Sequence, residues 1–558
     1  MSEQNSTAPL IFLELNEINF ELIQKYIELG YLPNFQKLLD KFALHETTVN
    51  LTHEQLEPWI QWVSVHTGKS FDEHQVFKLG DITERDDLRQ HWEVLEEQGY
   101  SVGAFSPMNA ANRTKDAKFW LPHPFVETPV SGENWLSNLK SAMKESFNYP
   151  TPTKLSTKAK TTLGHILLTK TQKTQWPSYL TNAYRSLFKQ CHWAKALIID
   201  RLLADSFIQQ WKKYQPDFST LYMRAGAFFQ RHYWFNSKAY EGSNHNPIWY
   251  VQEDSDPVLD ILQMYDQIVA DLFRLPARVI IATGLRQVPH EQVTYNYRIE
   301  DRDNLLANLR VNFKSVTPHH ESGFYIECES QSAAEKAERT LRQLFSENDE
   351  PLFDFTKQEG QQLYAQLTYP YEIKSPFPVK NAKGEIVIED FATEVCFVTI
   401  VNSHHDKTGY YIDSDVSKED EHSSPICVEE LYQIVMNHFA SEEKQSASES
   451  EKRTSQSLDD NAEDSTSSAS SDETDKKTTE STEQEAASSE STPAESTQQE
   501  PDEHKEASSA ESAETSTEQQ TSSEQKQKQE DSEQKTAKSA QQASDKTDSN
   551  NSQGDSKK

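Results

Sequence analysis

The sequence predicts an α/β protein with a mostly parallel central sheet and helices on both faces. Short apolar runs alternate with segments of helical spacing over much of the first 440 residues, and this alternation is typical of a parallel sheet with crossover helices. Two runs, RVIIAT at 278–283 and EVCFVTIV at 394–401, are apolar without alternation, which favours central strands buried on both faces. The last fifth of the chain has a different composition, so the predicted fold ends near residue 440.

The first part of the chain supplies the first strands and helices. LIFLEL at 10–15 predicts a strand, and NFELIQKYIELG at 19–30 predicts a helix that stops at its glycine. ALHETTVNL at 43–51 and YSVGAF at 100–105 predict strands, and between them PWIQWVSVHTG at 58–68 predicts a helix. Pro at the start and Gly at the end of that helix fit its two termini.

Later segments continue the pattern and then interrupt it. Residues 130–200 are rich in helical spacing and in Lys clusters, and 193–214 predicts an amphipathic helix before the strand DFSTLYM at 217–223. Between 298 and 375 short strands surround one charged helix, AAEKAERTLRQLFSE. We therefore expect one domain, residues 8–440, that carries a small α+β cap insertion at 298–375.

The C-terminal segment, residues 441–558, holds 30 acidic against 13 basic residues and contains no Phe, Trp, Tyr, Ile, Val or Met. Such a segment has almost no apolar surface to offset the entropy of ordering it, so it is predicted to stay disordered. A solvated spacer and a partner-binding tail both fit this composition.

Several functional classes are disfavoured by the sequence. No apolar run approaches the roughly 20 residues of a membrane span, and the start MSEQNSTAPLIFLEL lacks the basic flank and apolar stretch of a signal peptide. The net charge of −34 argues against nucleic acid as a partner. The four cysteines are far apart and lack metal spacing, which predicts reduced side chains and a cytoplasmic protein. The oligomeric state stays open.

Polar residues follow several predicted strands, and ligands bind at the carboxyl ends of the strands in open α/β sheets. These residues are Asn16, Glu17, Arg224, Thr283 to Arg286, His404, His405 and Asp406. The helix that begins at Pro58 is expected to reach the same edge with its N-terminus. The sequence therefore predicts a functional site at this edge.

Five segments resemble the alkaline phosphatase superfamily, in its type I phosphodiesterase and nucleotide pyrophosphatase branch. They are LELNEINFELIQKYIELGYLPNFQKLL, EPWIQWVSVHTGKSFDEHQVF, FFQRHYWFNS, RVIIATGLRQ and SHHDKTGYYI, in the family's order. The second is similar to the family's nucleophile helix, and the others are similar to its metal-binding segments. The resemblance implies an alkaline-phosphatase-like α/β/α sandwich and the hydrolysis or transfer of a phosphoester or sulfoester.

The resemblance also implies a two-metal site that clamps the transferred group, but most ligand positions are substituted. The substituted positions are Asn16, Ala227, Arg231, Thr283 and Gly284. Only His405, four residues before Gly409, matches. One imidazole cannot hold a divalent ion against water, and Arg231 would repel it. We therefore predict no cofactor and no metal. Zinc is expected only if this alignment is wrong, with ligands then sought among Glu14, Glu17, His232, His290, His404 and Asp406.

The start of the nucleophile-like helix lacks a hydroxyl, because the family's Thr or Ser position falls at Pro58 or Glu57. Glu57 either caps the helix or places its carboxylate in the anion site, where the helix dipole is expected to depress its pKa. His66, near the end of the helix, is expected to contact the C-terminal carbonyls. The candidate catalytic residues are Glu57, Glu17, His404 and His405.

The remaining candidates are assigned to ligand binding: Asn16, Arg224, Arg231, His232 and Asp406. An Arg can grip phosphate or sulfate in a bidentate fork, and surface ion pairing is the alternative role. Two functions stay open. One is a divergent phosphoester or sulfoester hydrolase or transferase without the usual two-metal centre, and the other is a non-catalytic descendant that binds an anionic small molecule or glycan.

Overall fold

The computed structural model describes residues 8–52, 55–146, 155–189, 191, 193–319, 322–353, 357–420 and 424–440. The segment 441–558, which the sequence predicts to be a disordered tail, lies outside the described residues. All described residues belong to one compact unit.

Strands and helices alternate through most of the described chain. The strands are β1 Leu10–Leu15, β2 Phe42–Thr48, β3 Val102–Phe105, β4 Phe119–Leu121, β5 Phe218–Met223, β6 Arg278–Ala282, β7 Arg286–Ile299, β8 Ser315–His319, β9 Gly323–Glu327, β10 Lys357–Glu359, β11 Gln362–Gln366, β12 Val379–Lys380, β13 Ile386–Ile388, β14 Val395–Asp406, β15 Thr408–Ser417 and β16 Ile426–Cys427. The helices are α1 Phe20–Glu28, α2 Pro33–Lys41, α3 Pro58–Thr67, α4 Phe71–His74, α5 His91–Glu97, α6 Asn134–Ser146, α7 Thr157–Lys170, α8 Trp176–Phe188, α9 Ala194–Tyr214, α10 Ala225–Tyr233, α11 Pro257–Leu272, α12 Arg302–Asn308, α13 Gln331–Arg342 and α14 at 430–440.

The central sheet is mostly parallel, with β1 in its middle. Its strand order is β16-β2-β15-β6-β1-β5-β3-β4. The run from β6 to β4 is parallel throughout, and β15 is antiparallel to both β6 and β2. The carboxyl ends of β6, β1, β5, β3 and β4 therefore share one edge.

Helices cover both faces of this sheet. Alternate residues of a strand point to opposite faces, and Ile11, Leu13 and Leu15 of β1 join a buried cluster with helices α1, α9 and α11. Leu10 and Phe12 join a second cluster with α3, α5 and α14. The predicted α/β/α arrangement with a mostly parallel sheet is confirmed.

One apolar run does not take the predicted place. Residues 394–401 were expected to form a central strand, but among the described strands β14 pairs with β7 alone, in a two-stranded antiparallel ribbon. Phe397 packs against the rings of Trp249 and Tyr297, while the antiparallel strand β15 lies beside β6 in the central sheet. The prediction is wrong because an apolar run indicates that a strand packs against other residues but does not indicate which sheet or surface it packs against.

Strands between Ser315 and Gln366, inside the predicted insertion, build a second, smaller sheet. Its strands are ordered β10-β11-β9-β8 and pair antiparallel. A separate hydrophobic cluster, with members from Tyr297 to Phe391, fills the space between this sheet and helices α12 and α13. Among the described residues, no helix is both long and apolar enough to cross a membrane.

Candidate functional site

The loops after β1 and β6 meet at the carboxyl edge of the sheet. β1 pairs in register with β5 on one side and with β6 on the other, so the residues that follow these strands come together. The backbone N–H of Glu17 donates to the carbonyl of Thr283 at 2.9 Å. Helix α3 brings its N-terminus to the same place, because the carbonyl of Leu56 contacts His405.

Glu17 and His405 form a buried carboxylate–imidazole pair. His405 Nε2 lies 3.4 Å from Glu17 Oε2, and the two side chains are 16% and 3% exposed. His405 Nδ1 donates to the carbonyl of Leu56 at 2.5 Å, so both ring nitrogens are engaged. The Gln287 amide donates to Glu17 Oε2 as well.

In this pair, each side chain stabilises the charged form of the other. Burial lowers the pKa of His405, but the carboxylates of Glu17 and Glu57 outweigh burial, so the pKa of His405 is raised. Burial raises the pKa of Glu17, but His405, Gln287 and Arg231 outweigh it, so the pKa of Glu17 is lowered. Both directions favour an imidazolium beside a carboxylate.

Glu57 sits at the start of α3 without capping it. It occupies the N-cap position, yet its side chain accepts no capping hydrogen bond. Its Oε2 lies 4.0 Å from His405 Nδ1, and its side chain is 33% exposed. Burial, followed by the nearby Glu17 carboxylate, raises the pKa of Glu57 against the opposing charges of His405 and Arg231. The predicted depression of this pKa is wrong, because desolvation outweighs the favourable charges near the helix start.

Arg231, in the last turn of α10, acts on the same groups. Its positive charge favours the ionised form of Glu17 and of Glu57, although the net pKa of Glu57 is raised. It also disfavours protonation of His405. The half-buried guanidinium makes no hydrogen bond or ion pair with any residue in the described part of the chain. It is therefore available to an anion from solution.

Two further imidazoles belong to this edge: the charge of Arg231 acts on His290, and His404 lies next to His290. The rings of His290 and His404 are 4.9 Å apart and tilted by 34°. Burial, His404 and Arg231 lower the pKa of His290 to about 4, so His290 is neutral at physiological pH. The resulting cluster of Glu17, Glu57, Arg231, His290, His404 and His405 is called the edge cluster below.

Three other sequence candidates are engaged in contacts of the fold. Asn16 Oδ1 accepts a hydrogen bond from the indole of Trp62 at 2.7 Å. His232 Nδ1 donates to the carbonyl of Ile400 at 2.7 Å, and burial followed by Arg231 lowers the pKa of His232 to about 3. Asp406 accepts from Arg286 at 2.8 Å.

Arg224 lies at the end of β5, as its position after DFSTLYM predicts. It is the N-cap residue of α10. Its charge contributes to lowering the pKa of buried His123 and opposes the rise in the pKa of Asp200. Arg224 thus neighbours the carboxyl ends of two strands, β4 and β5.

The donor set at this edge does not fit two divalent metal ions. At the positions carried over from the family, Asn16 Oδ1 is bonded to Trp62, and Thr283 Oγ1 accepts the backbone N–H of Tyr410 at 2.8 Å. Within the described ranges, no group of three or more His, Cys, Asp or Glu could hold a metal ion. Arg231 adds a fixed positive charge. The absence of bound metal stays a prediction, which elemental analysis of the purified protein would check.

His66 has a different partner from the one predicted. It was expected to contact carbonyls at the end of α3, but its Nε2 lies 3.2 Å from Glu14 Oε1, and both side chains are buried. That prediction is wrong because the last turn of α3 packs against β1. The backbone N–H of Gly68 closes the helix instead, on the carbonyl of Ser64.

Two glutamines that support Glu17 were missed at the sequence level. Gln287 accepts from the Ser403 hydroxyl at 2.7 Å while its amide binds Glu17. Gln230 donates to the carbonyl of Glu17 at 2.9 Å. Neither charge nor spacing marks a glutamine as part of a site. The only signal was the position of Gln287 shortly after a predicted strand.

No family model and no curated protein matches the chain. Among solved structures, phosphonoacetate hydrolase from Sinorhizobium meliloti 1021 in complex with phosphonoacetate matches at 9% identity and a TM-score of 0.38, over 76% of this chain and 94% of that one. Murine ectonucleotide pyrophosphatase/phosphodiesterase 5 matches at 9% identity and a TM-score of 0.32, over 77% and 94%. The human protein of the same name matches at 8% and 0.34, over 77% and 94%.

By their names, these matched proteins are a phosphonoacetate hydrolase and two nucleotide pyrophosphatase/phosphodiesterases. The identities and TM-scores are too low to carry an activity, a metal centre or a catalytic residue over to this chain. The chain is similar to these proteins.

Proposed function

We propose that the edge cluster binds the anionic group of a phosphorylated or sulfated small molecule or glycan, without a dinuclear metal centre, and that the protein acts on the ester bond of this ligand. The observation that carries the proposal is Arg231, a half-buried guanidinium with no partner among the described residues. A guanidinium presents several N–H donors in a planar fork that matches phosphate and sulfate oxygens.

The groups around Arg231 complete a binding site for an anion. The pKa of His405 is raised by Glu17 and Glu57 in spite of burial, so His405 adds a second positive charge. His290, on which the charge of Arg231 acts, and its neighbour His404 are additional polar groups. The buried Glu17 balances His405 and keeps it oriented, which leaves Arg231 to meet the charge of the ligand.

Glu57 is the group best suited to proton transfer. It is partly exposed, makes no capping bond and has a pKa raised by burial, and a raised pKa brings a carboxyl group closer to the working range of a general acid or base. In its deprotonated form it would accept the proton of a water molecule that attacks the phosphorus or sulfur atom. The ester P–O or S–O bond then breaks, and the alcohol or phenol leaves after it takes up a proton from solvent. His405 is a positioning residue in this scheme, because both of its nitrogens are engaged.

Binding without turnover is the second candidate function. It is favoured by the absence of a hydroxyl at the start of α3, where Glu57 and Pro58 stand. In that case the edge cluster would bind an anionic ligand without catalysing its hydrolysis. The four cysteines are free, two of them buried, and a cytoplasmic location is proposed for either function because thiols stay reduced there.

Ligand binding is tested first. Arg231→Ala should weaken the binding of inorganic phosphate, sulfate or an aryl phosphate by about tenfold or more, since a hydrogen bond to a charged group contributes roughly 1.5–3 kcal/mol. Isothermal titration calorimetry measures this. Arg274→Ala, which removes an exposed Arg paired with Asp271, is the matched control and should bind like wild type. Equal affinities for all three proteins would contradict the proposal.

Turnover separates the two candidates. An aryl phosphodiester and an aryl sulfate should be hydrolysed by the wild type, and the rate should rise as pH increases through the pKa of Glu57. Glu57→Gln should abolish hydrolysis and keep ligand affinity within a few-fold. Binding by the wild type without any hydrolysis would favour the non-catalytic function.

A further inference from the structure

Helices α6, α7 and α8 concentrate positive charge in an acidic chain. Residues 134–195 contain ten Lys or Arg and one acidic residue, while the whole chain has 55 Lys and Arg against 89 Asp and Glu. This segment lies outside the edge cluster, and none of its residues is used in the proposed function. A local excess of one charge on an oppositely charged chain indicates a surface that meets a partner of opposite sign.

Helix α8 adds an exposed apolar stripe to this segment. Leu180, Tyr184, Leu187 and Phe188 are 70%, 54%, 74% and 71% exposed. Their spacing of four, three and one residues places them on one face of the helix. The opposite face packs on α9, where the hydroxyl of buried Tyr179 donates to Asp205 at 2.9 Å. Contiguous exposed apolar side chains are rare on soluble proteins and mark interaction sites.

The same stretch of chain carries exposed lysines. Exposed lysines that form no ion pair with any residue the structure describes are Lys158, Lys160, Lys173, Lys189 and Lys195. Lys173 precedes α8 and Lys189 follows it, so positive charge lies at both ends of the stripe. Arg185, in contrast, turns inward and pairs with Asp260. The exposed apolar side chains of α8 therefore have an exposed lysine next to each end of the helix.

We propose that this basic-apolar surface, formed by the α8 stripe, exposed Leu168 of α7 and the five lysines, docks on the anionic surface of a lipid bilayer. A helix that lies in the plane of the interface buries leucine and aromatic side chains at the headgroup boundary. Lysines beside it are attracted to acidic headgroups. The 13 residues of α8 span roughly 20 Å at 1.5 Å per residue, which is long enough for such a contact.

Other occupants fit less well. A second copy of the chain would bring lysine against lysine. The acidic segment 441–558 has complementary charge, but it contains no aromatic, Ile, Val or Met residue and one Leu to cover the stripe. Single-stranded nucleic acids stack on aromatic rings, and three of the five apolar side chains on this surface are leucines. A lipid surface matches both the charge and the aliphatic character.

Vesicle flotation with the full-length protein tests the proposal. The protein should float with vesicles that contain phosphatidylglycerol, remain at the bottom with pure phosphatidylcholine, and dissociate at high salt. Lys173→Glu/Lys189→Glu should reduce partitioning about tenfold or more, since each lysine near an acidic membrane contributes roughly 1 kcal/mol. Leu187→Ser/Phe188→Ser should reduce it by about tenfold or more as well, because it removes two apolar side chains that would be buried at the headgroup boundary.

Matched variants elsewhere control for the loss of apolar area and charge. Leu29→Ser/Ile248→Ser removes side chains that are 52% and 71% exposed, and Lys374→Glu/Lys383→Glu reverses two exposed lysines between residues 374 and 383. Both should float like wild type, and all variants should melt at the wild-type temperature because the changed side chains are exposed. Absence of flotation, equal binding to neutral vesicles, or flotation unaffected by both α8 pairs would overturn the proposal. A dimer in sedimentation equilibrium that Leu187→Ser/Phe188→Ser dissociates, without flotation, would assign the surface to a second copy.

Discussion

Around His405, burial raises the pKa of two carboxyl groups, but the net shifts have opposite signs. Glu17 contacts the imidazole at 3.4 Å and also accepts a hydrogen bond from Gln287, so its pKa is lowered in spite of burial. Glu57 lies farther from the imidazole, at 4.0 Å, and its pKa is raised by desolvation. Two carboxyl groups whose environments separate their pKa values are suited to different roles. In the proposed function, Glu17 is therefore the fixed counter-ion and Glu57 the group that exchanges protons.

His405 should give the stability of the protein a specific pH dependence. Its pKa is raised in the folded state, because Glu17 and Glu57 outweigh burial, so its stabilising contribution is complete below the unfolded pKa of about 6.5 and is lost as pH rises through the folded pKa. His405→Asn should remove this component. At about pH 6 it should lower the free energy of unfolding by roughly 3 kcal/mol, because Glu17 stays buried without its partner. Urea unfolding at a series of pH values measures both effects.

The control for this prediction is His165→Asn, which replaces an exposed histidine of α7. It should keep the stability of the wild type and its decline with rising pH. If His405→Asn and the wild type lose stability in parallel as pH rises above neutral, the imidazolium–carboxylate pair does not contribute as described.

At the scale of elements, the loop after β6 packs directly against helix α3, and the contact leaves no room for a side chain at Gly284. Gly284 has φ of 72°, and a Cβ built on it would lie 1.8 Å from Gln61 Nε2 of α3. The Gln61 side chain is fully buried, and its amide has no hydrogen-bond partner in the described ranges. Glycine at 284 therefore sets how near α3 comes to the sheet, and with it the position of Glu57.

Gly284→Ala should destabilise the protein by about 2–5 kcal/mol. The left-handed backbone costs a residue with a Cβ roughly 1–2 kcal/mol, and forcing an atom into a packed site costs about 1–3 kcal/mol more. Gly360→Ala isolates the first contribution, because Gly360 has φ of 60° and nothing within 4 Å of its Cβ position. Chemical denaturation of both variants gives the difference. Equal losses for the two variants would show that α3 and Gln61 yield without cost.

For the molecule as a whole, the described core is built without the C-terminal segment. The clusters on the two faces of the central sheet and the cluster of the insertion draw their buried residues from the chain up to Phe439. Helix α14, at 430–440, closes the second of these clusters. The acidic segment begins directly after it.

A chain that ends at Ala440 should therefore stay soluble and melt at the temperature of the full-length protein. The reason is that residues 441–558 offer almost no apolar side chains to bury. Differential scanning calorimetry of the two chains is the measurement. A clearly lower melting temperature for the shorter chain would show that the acidic segment docks on the folded domain.

Sequence by itself determined the elements whose burial pattern is local. The strand predicted at 10–15 is β1, and the helix predicted at 193–214 is α9, Ala194–Tyr214. It also located the edge at which Glu17, Glu57 and His405 meet, because parallel strands place their carboxyl ends together. The periodicity of side chains along a strand or helix carries this information, and no distant contact is needed to interpret it.

Only the tertiary structure decided which groups are partners at that edge. It placed β14 on β7, paired His66 with Glu14, joined Gln287 to Glu17, and left Arg231 without a partner among the described residues. It also raised the pKa of Glu57, where the helix start alone predicted a lower one. These features depend on desolvation and on distances between residues far apart in the chain, and neither quantity is encoded in local spacing.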